Sequence, residues 1–176
     1  MQYATYYNSP LGKILIAADE IGLTGLWFEG QKYFAYTFES DYRIGDLPVL
    51  KAAKRWLDIY FSGKDPNKKP LKRVLNHLYG TPFQVAVWMS IMKIPYGTTA
   101  TYGEIAKKVA EQGYSSDAAA RAVGNAVAHN SISLIVPCHR IIGSDGKLRG
   151  YSGGLDLKKK LLESEGIDCD NLRNNR

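Results

Sequence analysis

The chain is poor in the groups from which disulfide scaffolds and metal centres are built. Its 176 residues hold two cysteines, Cys138 and Cys169, and three histidines. Such a pair supplies no disulfide framework and no paired metal-ligand spacing, which favours a reducing compartment over secretion and leaves no candidate metal site. His77 and His129 stand alone and read as surface or turn residues. No apolar run is long enough to span a membrane, and Met1-Gln2-Tyr3-Ala4 lacks the basic start and apolar body of a signal peptide. A soluble protein is expected, cytoplasmic or, in a eukaryote, nuclear. Internal repeats and low-complexity tracts are absent as well. Acidic residues are the scarcer sign of charge: Lys and Arg number 23 against 17 Asp and Glu, a formal charge of +6 that favours a polyanionic partner. Apolar residues make up 45% of the chain, enough for a packed core in one large or two small domains.

The amino-terminal part reads as a β-meander followed by a helix. Residues 3–7 are rich in β-formers, Asn8-Ser9-Pro10-Leu11-Gly12 turns the chain, and residues 13–18 complete a hairpin. A second turn at residues 19–22 leads into a third strand over residues 23–28, whose aromatics pack beneath the sheet. Leu47-Pro48 opens a helix with Leu50, Ala53, Trp56, Leu57 and Tyr60 at helical spacing, ending near Phe61-Ser62-Gly63. Lys64, Lys68, Lys69, Lys72 and Arg73, set among Pro66, Asn67 and Pro70, form an exposed basic connector. The boundary is placed there, giving an amino-terminal α/β domain with its linker over residues 1–75 and a carboxy-terminal domain over 76–176.

Beyond the connector the pattern turns helical. Thr81 caps a helix with Pro82 in its first turn and Val85, Val87, Trp88, Ile91 and Met92 as a broad apolar surface. After Pro95-Tyr96-Gly97, Thr101 caps a second helix, with Glu104 at capping-box spacing and Ile105, Ala106 and Val109 facing inward. Following Gln112-Gly113-Tyr114, Ser115 or Ser116 caps a third helix that runs through Ala118, Arg121, Ala122, Val123, Ala126 and Val127. Two helices joined by a short glycine turn fit a helix-turn-helix. The alanines and Gly124 keep the later helix narrow and leave Arg121 protruding, which suits a nucleic-acid groove. Equally, small residues suit tight packing between helices.

The apolar run over residues 132–136 reads as a short strand ending in Pro137-Cys138-His139-Arg140. A free thiol ionises near pH ~8.5 and reacts as its thiolate, so the adjacent imidazole, or a water it polarises, is a natural proton acceptor. A carboxylate behind the ring would orient it and stabilise its cation. Glu165 is the candidate, because it closes the pattern Leu155, Lys158, Leu161, Leu162, Glu165 on a helix. Side chains alternate along a strand, so Cys138 and His139 cooperate if the chain turns between them; Pro137 and Gly143-Ser144-Asp145-Gly146 supply turn chemistry. These residues alone leave open a buried inert cysteine, and also a cysteine hydrolase, although nothing nearby nominates its oxyanion pocket.

The longer stretch Ile135-Val136-Pro137-Cys138-His139-Arg140-Ile141-Ile142 resembles the active-site region of the O6-alkylguanine-DNA alkyltransferases, as do Tyr151-Ser152-Gly153-Gly154-Leu155 and Leu161-Leu162-Glu163-Ser164-Glu165-Gly166. Upstream, Ile94-Pro95-Tyr96-Gly97, Thr101-Tyr102-Gly103-Glu104-Ile105-Ala106, Arg121-Ala122-Val123-Gly124-Asn125-Ala126 and Asn130 follow in the family's order, so the resemblance runs from about Thr81 to Gly166. It implies an α/β protein: a small antiparallel amino-terminal sheet with a helix, RNase H-like, then a mainly helical domain with a helix-turn-helix and an active-site strand. The implied activity is single-turnover DNA repair, in which the alkyl group of O6-alkylguanine, and of O4-alkylthymine, passes to Cys138 after base flipping. No cofactor or metal is implied, since the lesion carries the transferred group. The expected partner is double-stranded DNA entered from the minor groove, and the expected state a monomer. Alkyltransferase-like proteins that bind lesions without chemistry replace this cysteine, usually with tryptophan, so Cys138 argues against that alternative.

The resemblance also distributes roles. Arg121 takes the place of the flipped nucleotide in the base stack, with Ala122, Gly124 and Ser115 on the DNA-facing surface. Tyr102 rotates the 3′ phosphate, contacts the extruded base and offers guanine a proton. Asn130 ties the recognition helix to the active-site segment, and Cys138, His139 and Glu165 form a water-mediated relay. Tyr151, Ser152 and Gly153 wall the base pocket, while Ser133 stands where some members carry proline and bears on the width of that pocket. The zinc ligands of some relatives' amino-terminal halves have no counterpart here.

Overall fold

The computed structural model describes residues 1–68, 78–114 and 119–172. It divides into two compact units, Met1–Tyr79 with Ser131–Ser133, and Gly80–Asn130 with Leu134–Arg176. The boundary expected between residues 75 and 76 falls outside the described residues, as do Lys69, Lys72 and Arg73 of the basic connector, His77, Ser115 and Ser116.

In the first unit β1 (Gln2–Ser9) and β2 (Gly12–Ala18) form the hairpin, and β3 (Leu23–Phe28) joins β2 antiparallel. The sheet is mixed rather than purely antiparallel, because β4 (Tyr42–Ile44) runs parallel to β1 and completes the order β3-β2-β1-β4. All three β4 residues are exposed, so this edge strand carries no alternating apolar signal. The opposite edge is covered: Leu26 donates to Ser131 O at 2.8 Å and accepts from Ser133 N at 2.9 Å. Helix α1 (Pro48–Phe61) buries Leu50, Ala53, Trp56, Leu57 and Tyr60 and packs on β1 and β2. Each such large side chain contributes roughly 1.5–3 kcal/mol by leaving water.

The second unit is built from α2 (Pro82–Ile91), α3 (Tyr102–Ala110), α4 (Ala119–Ala128) and α5 (Leu155–Ser164). Thr81 and Thr101 close full capping boxes: each hydroxyl accepts the N–H three residues on, and Gln84 and Glu104 reach back to the cap N–H. Helices α2, α3 and α4 pack on one another around Trp88, whose Nε1 donates to Ala126 O at 2.8 Å. Strands β5 (Ala100–Thr101) and β6 (Ile141–Ile142) pair in parallel and bring the start of α3 beside the segment that follows Cys138. The carboxy-terminal segment is docked over its described part. Cys169–Asn171 forms a 3-10 turn and Leu172, its large apolar residue, is buried. Among the described residues no helix is long and apolar enough to cross a membrane.

Candidate active site

The active-site strand expected over residues 132–136 does not form. Ile132 makes an isolated bridge to Leu26, and Leu134 takes a φ of 69°. Pro137 (φ −81°, ψ 62°) is the central residue of an inverse γ-turn, closed by the Cys138 N–H on Val136 O at 2.8 Å. Cys138–Arg140 then winds into a 3-10 turn. The run is thus broken at Leu134, before the proline, and Pro137 adds the second turn, since its fixed φ and missing N–H deny a strand its ladder bond. With three residues per turn, Cys138 and His139 escape the opposite-face arrangement of a strand.

Around this turn the polar groups are buried and matched. Asn130, just beyond α4, donates through Nδ2 to Val136 O at 2.9 Å and to Cys138 Sγ at 3.2 Å. Glu165 caps the C-terminus of α5, where Gly166 leaves the helix at a φ of 85°. Its Oε1 accepts from His139 Nε2 at 2.6 Å and Arg140 Nη2 at 3.0 Å; its Oε2 accepts from Arg140 Nε at 2.8 Å and the Gly97 N–H at 3.1 Å. Arg140 Nη1 donates to Ile94 O at 2.8 Å. The two-pronged guanidinium–carboxylate pair is the strong form of ion pair.

Burial alone would raise the Glu165 carboxyl, yet His139 and Arg140 hold it at about 2. An ionised carboxylate can only accept, so His139 presents Nε2–H to it and Nδ1 carries the lone pair. Burial, aided by the Arg140 and Lys158 cations, keeps His139 below its ordinary value against the pull of Glu165. Burial also pushes the Cys138 thiol up to about 12, opposed by the Asn130 hydrogen bond and the Lys158 charge. The resting pair is therefore a neutral thiol and a neutral imidazole.

Tyr102, the first residue of α3, donates its hydroxyl to Arg149 O at 2.9 Å, and burial raises its pKa. Tyr151 and Ser152 lie half-buried on the loop before α5. A Cβ at Gly153 would sit 2.5 Å from Leu157 Cδ2, so that position stays small. On α4 the inner face buries Val123, Ala126 and Val127, while Arg121 is exposed and Ala122 and Gly124 are half-buried. Ser133 belongs to the amino-terminal unit, where its hydroxyl donates to Gln31 Oε1 at 3.3 Å; Ser115 lies outside the described residues. Sequence reasoning gave no role to Arg140, Gly97 or Lys158. The available signal for Lys158 was a charge within the apolar stripe of α5; for Arg140 it was its adjacency to Cys138 and His139. Among the described residues no group of three or more His, Cys, Asp or Glu is placed to hold a metal ion.

A sulfur held inside a helical domain by an amide, with an imidazole fixed by a carboxylate and the packed helices α3 and α4 in the same unit, defines a class of protein with a buried cysteine centre. Residues 2–70 match the family described as 6-O-methylguanine DNA methyltransferase, ribonuclease-like domain, and residues 82–167 match its DNA binding domain. A Methanosarcina acetivorans relative named methylated-DNA–protein-cysteine methyltransferase is 41% identical over 169 residues, covering 93% of this chain and 98% of its own. The crystal structure of Mycobacterium tuberculosis O6-methylguanine methyltransferase matches with a TM-score of 0.73 at 37% identity, covering 94% of this chain and 93% of that one. Mycobacterium tuberculosis OGT in complex with DNA matches at 0.75 and 35% identity, covering 97% and 99%. The chain belongs to the 6-O-methylguanine DNA methyltransferase family.

Proposed function

We propose that the protein repairs DNA by transferring the alkyl group of O6-alkylguanine to its own Cys138, once per molecule. The observation that carries this reading is the buried Cys138, with the Asn130 amide on its sulfur and His139 held by an ionised Glu165. The thiol proton leaves through a water to the lone-pair nitrogen of His139, whose cation Glu165 stabilises. The sulfur attacks the alkyl carbon in line; the S–C bond forms as the C–O6 bond breaks, and the freed electron pair goes to guanine. Tyr102, which keeps its proton at neutral pH, supplies guanine with one. The thioether product has no carbonyl for water to attack, so the sulfur is not regenerated. The same displacement applies to an alkyl group on thymine O4.

A base inside a duplex cannot reach a buried sulfur, so the lesion is flipped out, at a cost of a few kcal/mol. Arg121, exposed on α4, fills the vacated stack from the minor groove, and the slimness of Ala122 and Gly124 lets the helix backbone approach. Tyr151, Ser152 and Gly153 wall the extruded base. One monomer acts per lesion, without metal or cofactor. The DNA complex of a relative supports nucleic acid as the partner. The test is intact-mass and peptide analysis after incubation with a duplex bearing O6-methylguanine. One methyl should replace one hydrogen on the Cys138 peptide, matched by an equal amount of repaired DNA and no second turnover. Unmodified protein beside unrepaired DNA would overturn the proposal.

A further inference from the structure

Between α2 and β5 the chain turns through Ile94-Pro95-Tyr96-Gly97. This turn meets both members of the Arg140–Glu165 pair. Ile94 O accepts from Arg140 Nη1 at 2.8 Å, and the Tyr96 ring faces the same guanidinium, with Cζ 5.6 Å from the ring centroid. A guanidinium within about 6 Å of an aromatic face is attracted to it. On the anion's side, the Gly97 N–H donates to Glu165 Oε2 at 3.1 Å. The Tyr96 hydroxyl donates to Ser164 O at 3.4 Å, on the last residue of α5 and next to Glu165. Gly97 has a φ of 75°, and a Cβ there would lie 3.2 Å from Glu165 O, so both its conformation and its close approach call for glycine. The last torsion of a glutamate side chain is soft, and the carboxylate turns until its hydrogen bonds fix it. Here Oε2 is taken by Arg140 Nε and Gly97 N–H, which leaves Oε1 facing His139 Nε2.

We propose that Tyr96 and Gly97 are positioning residues for the transfer: their turn sets the rotation of the Glu165 carboxylate, and through it the orientation and tautomer of His139. This rests on the alkyl-transfer reading above. Both residues act through Glu165 and Arg140 rather than on the substrate. Gly97 acts directly, by its N–H on Oε2. Tyr96 acts at one remove, holding Arg140 by its ring and the end of α5 by its hydroxyl.

The experiment compares Gly97→Ala, Tyr96→Leu, Tyr96→Phe and, as a control, Thr98→Val, which removes a hydroxyl from Pro95 O and so a bond internal to the turn. Three quantities are read: the first-order transfer rate at saturating O6-methylguanine duplex, duplex affinity by fluorescence anisotropy, and the ring ¹⁵N shifts of His139 in the free protein. Wild type should show the single tautomer with its proton on Nε2. Gly97→Ala should show averaged ring shifts and transfer about a hundredfold more slowly, the scale of a misplaced reacting geometry, with affinity unchanged. Tyr96→Leu should slow transfer about tenfold, the scale of one cation–π contact, and Tyr96→Phe, which keeps the ring, should recover most of that loss. Thr98→Val should lower urea stability and leave all three quantities alone. If Gly97→Ala loses its native circular dichroism, the two Tyr96 variants carry the test. Wild-type ring shifts and transfer rates in Gly97→Ala and Tyr96→Leu would overturn the inference, as would a Thr98→Val protein slowed as much as Tyr96→Leu. Should wild type fail to transfer at all, the repair reading falls, and the His139 shifts still decide whether the turn sets the ring.

Discussion

At the reacting centre Glu165 accepts four hydrogen bonds within 3.1 Å, and Cys138, His139 and Arg140 are all buried. On α4, in the same unit, Arg121 is exposed, and among the described residues a Cβ at Gly124 would meet no atom within 4 Å beyond its own helix backbone and chain neighbours. The first region is complete within the protein, and its geometry is set before any substrate arrives. The second is left unfilled, which makes sense for a surface completed by a partner. Under the proposed function, chemistry depends on preorganised internal contacts and recognition on space withheld from packing.

The sharpest way to break this contrast is Glu165→Gln, which keeps the shape of the side chain and removes its charge. Arg140 would then be a buried cation without an anion. Breaking a buried pair in this way costs about 3–5 kcal/mol. Urea unfolding should show that loss, and single-turnover transfer should fall by at least about a hundredfold as His139 loses its fixed tautomer. Replacing both partners, in Arg140→Met with Glu165→Leu, should restore much of the stability and none of the transfer. Unfolding of the Gln variant at the wild-type urea concentration would show that the network does not hold the fold.

Arg121→Ala attacks the other region and should leave urea stability unchanged. Repair of a lesion in duplex should fall roughly ten- to a hundredfold, reflecting one to three kcal/mol of support for the open stack. Transfer from the free O6-methylguanine base should stay near wild type, since no stack needs holding. Equal losses on both substrates, measured as single-turnover rates, would remove Arg121 from the stack and place its effect at the sulfur.

Acid separates the regions further. His139 is buried neutral with its pKa below 6.5, so the unfolded chain binds the extra proton and stability declines as pH falls below about 6.5. Glu165 is held at about 2 against 4.5 when free, so its contribution is present above pH 4.5 and lost progressively towards pH 2. Both effects have the same sign. Wild type and Arg121→Ala should lose urea stability in parallel between pH 7 and pH 3, whereas Glu165→Gln should show a shallower decline. Parallel decline of all three proteins would mean that other carboxylates dominate acid unfolding.

Periodic elements were legible in the sequence and the site's closing contacts were not. The five residues of α1 placed at helical spacing are the five it buries, and the Thr101–Glu104 capping box forms with both of its bonds. These depend on neighbours within a turn or two of helix. The three-residue β4 and the return of residues 131–133 to β3 depend on partners far along the chain. Around Cys138 the apolar run suggested a strand, but the left-handed Leu134 and then Pro137 turn it into successive tight turns that no two-residue alternation encodes. Cys138, His139 and Glu165 were named as candidates from the sequence, and His139 and Glu165 meet at 2.6 Å. That Arg140 would grip the same carboxylate from 25 residues away, and Lys158 three carbonyls, is a matter of packing rather than pattern.

Gly124→Ala gives the smallest effect and tests the unfilled face directly. A glycine inside a helix costs about 0.5–1 kcal/mol relative to alanine, and among the described residues the added methyl would meet no atom within 4 Å beyond its own helix backbone and chain neighbours. The variant should therefore be more stable, with a Tm higher by roughly 1–4 °C for a chain of this size. Its affinity for duplex DNA, read by fluorescence anisotropy, should nevertheless fall a few-fold, about 1 kcal/mol, because the methyl holds the α4 backbone away from the groove. Greater stability with unchanged or tighter binding would mean that DNA does not approach α4 at Gly124, and the open space there would need another occupant.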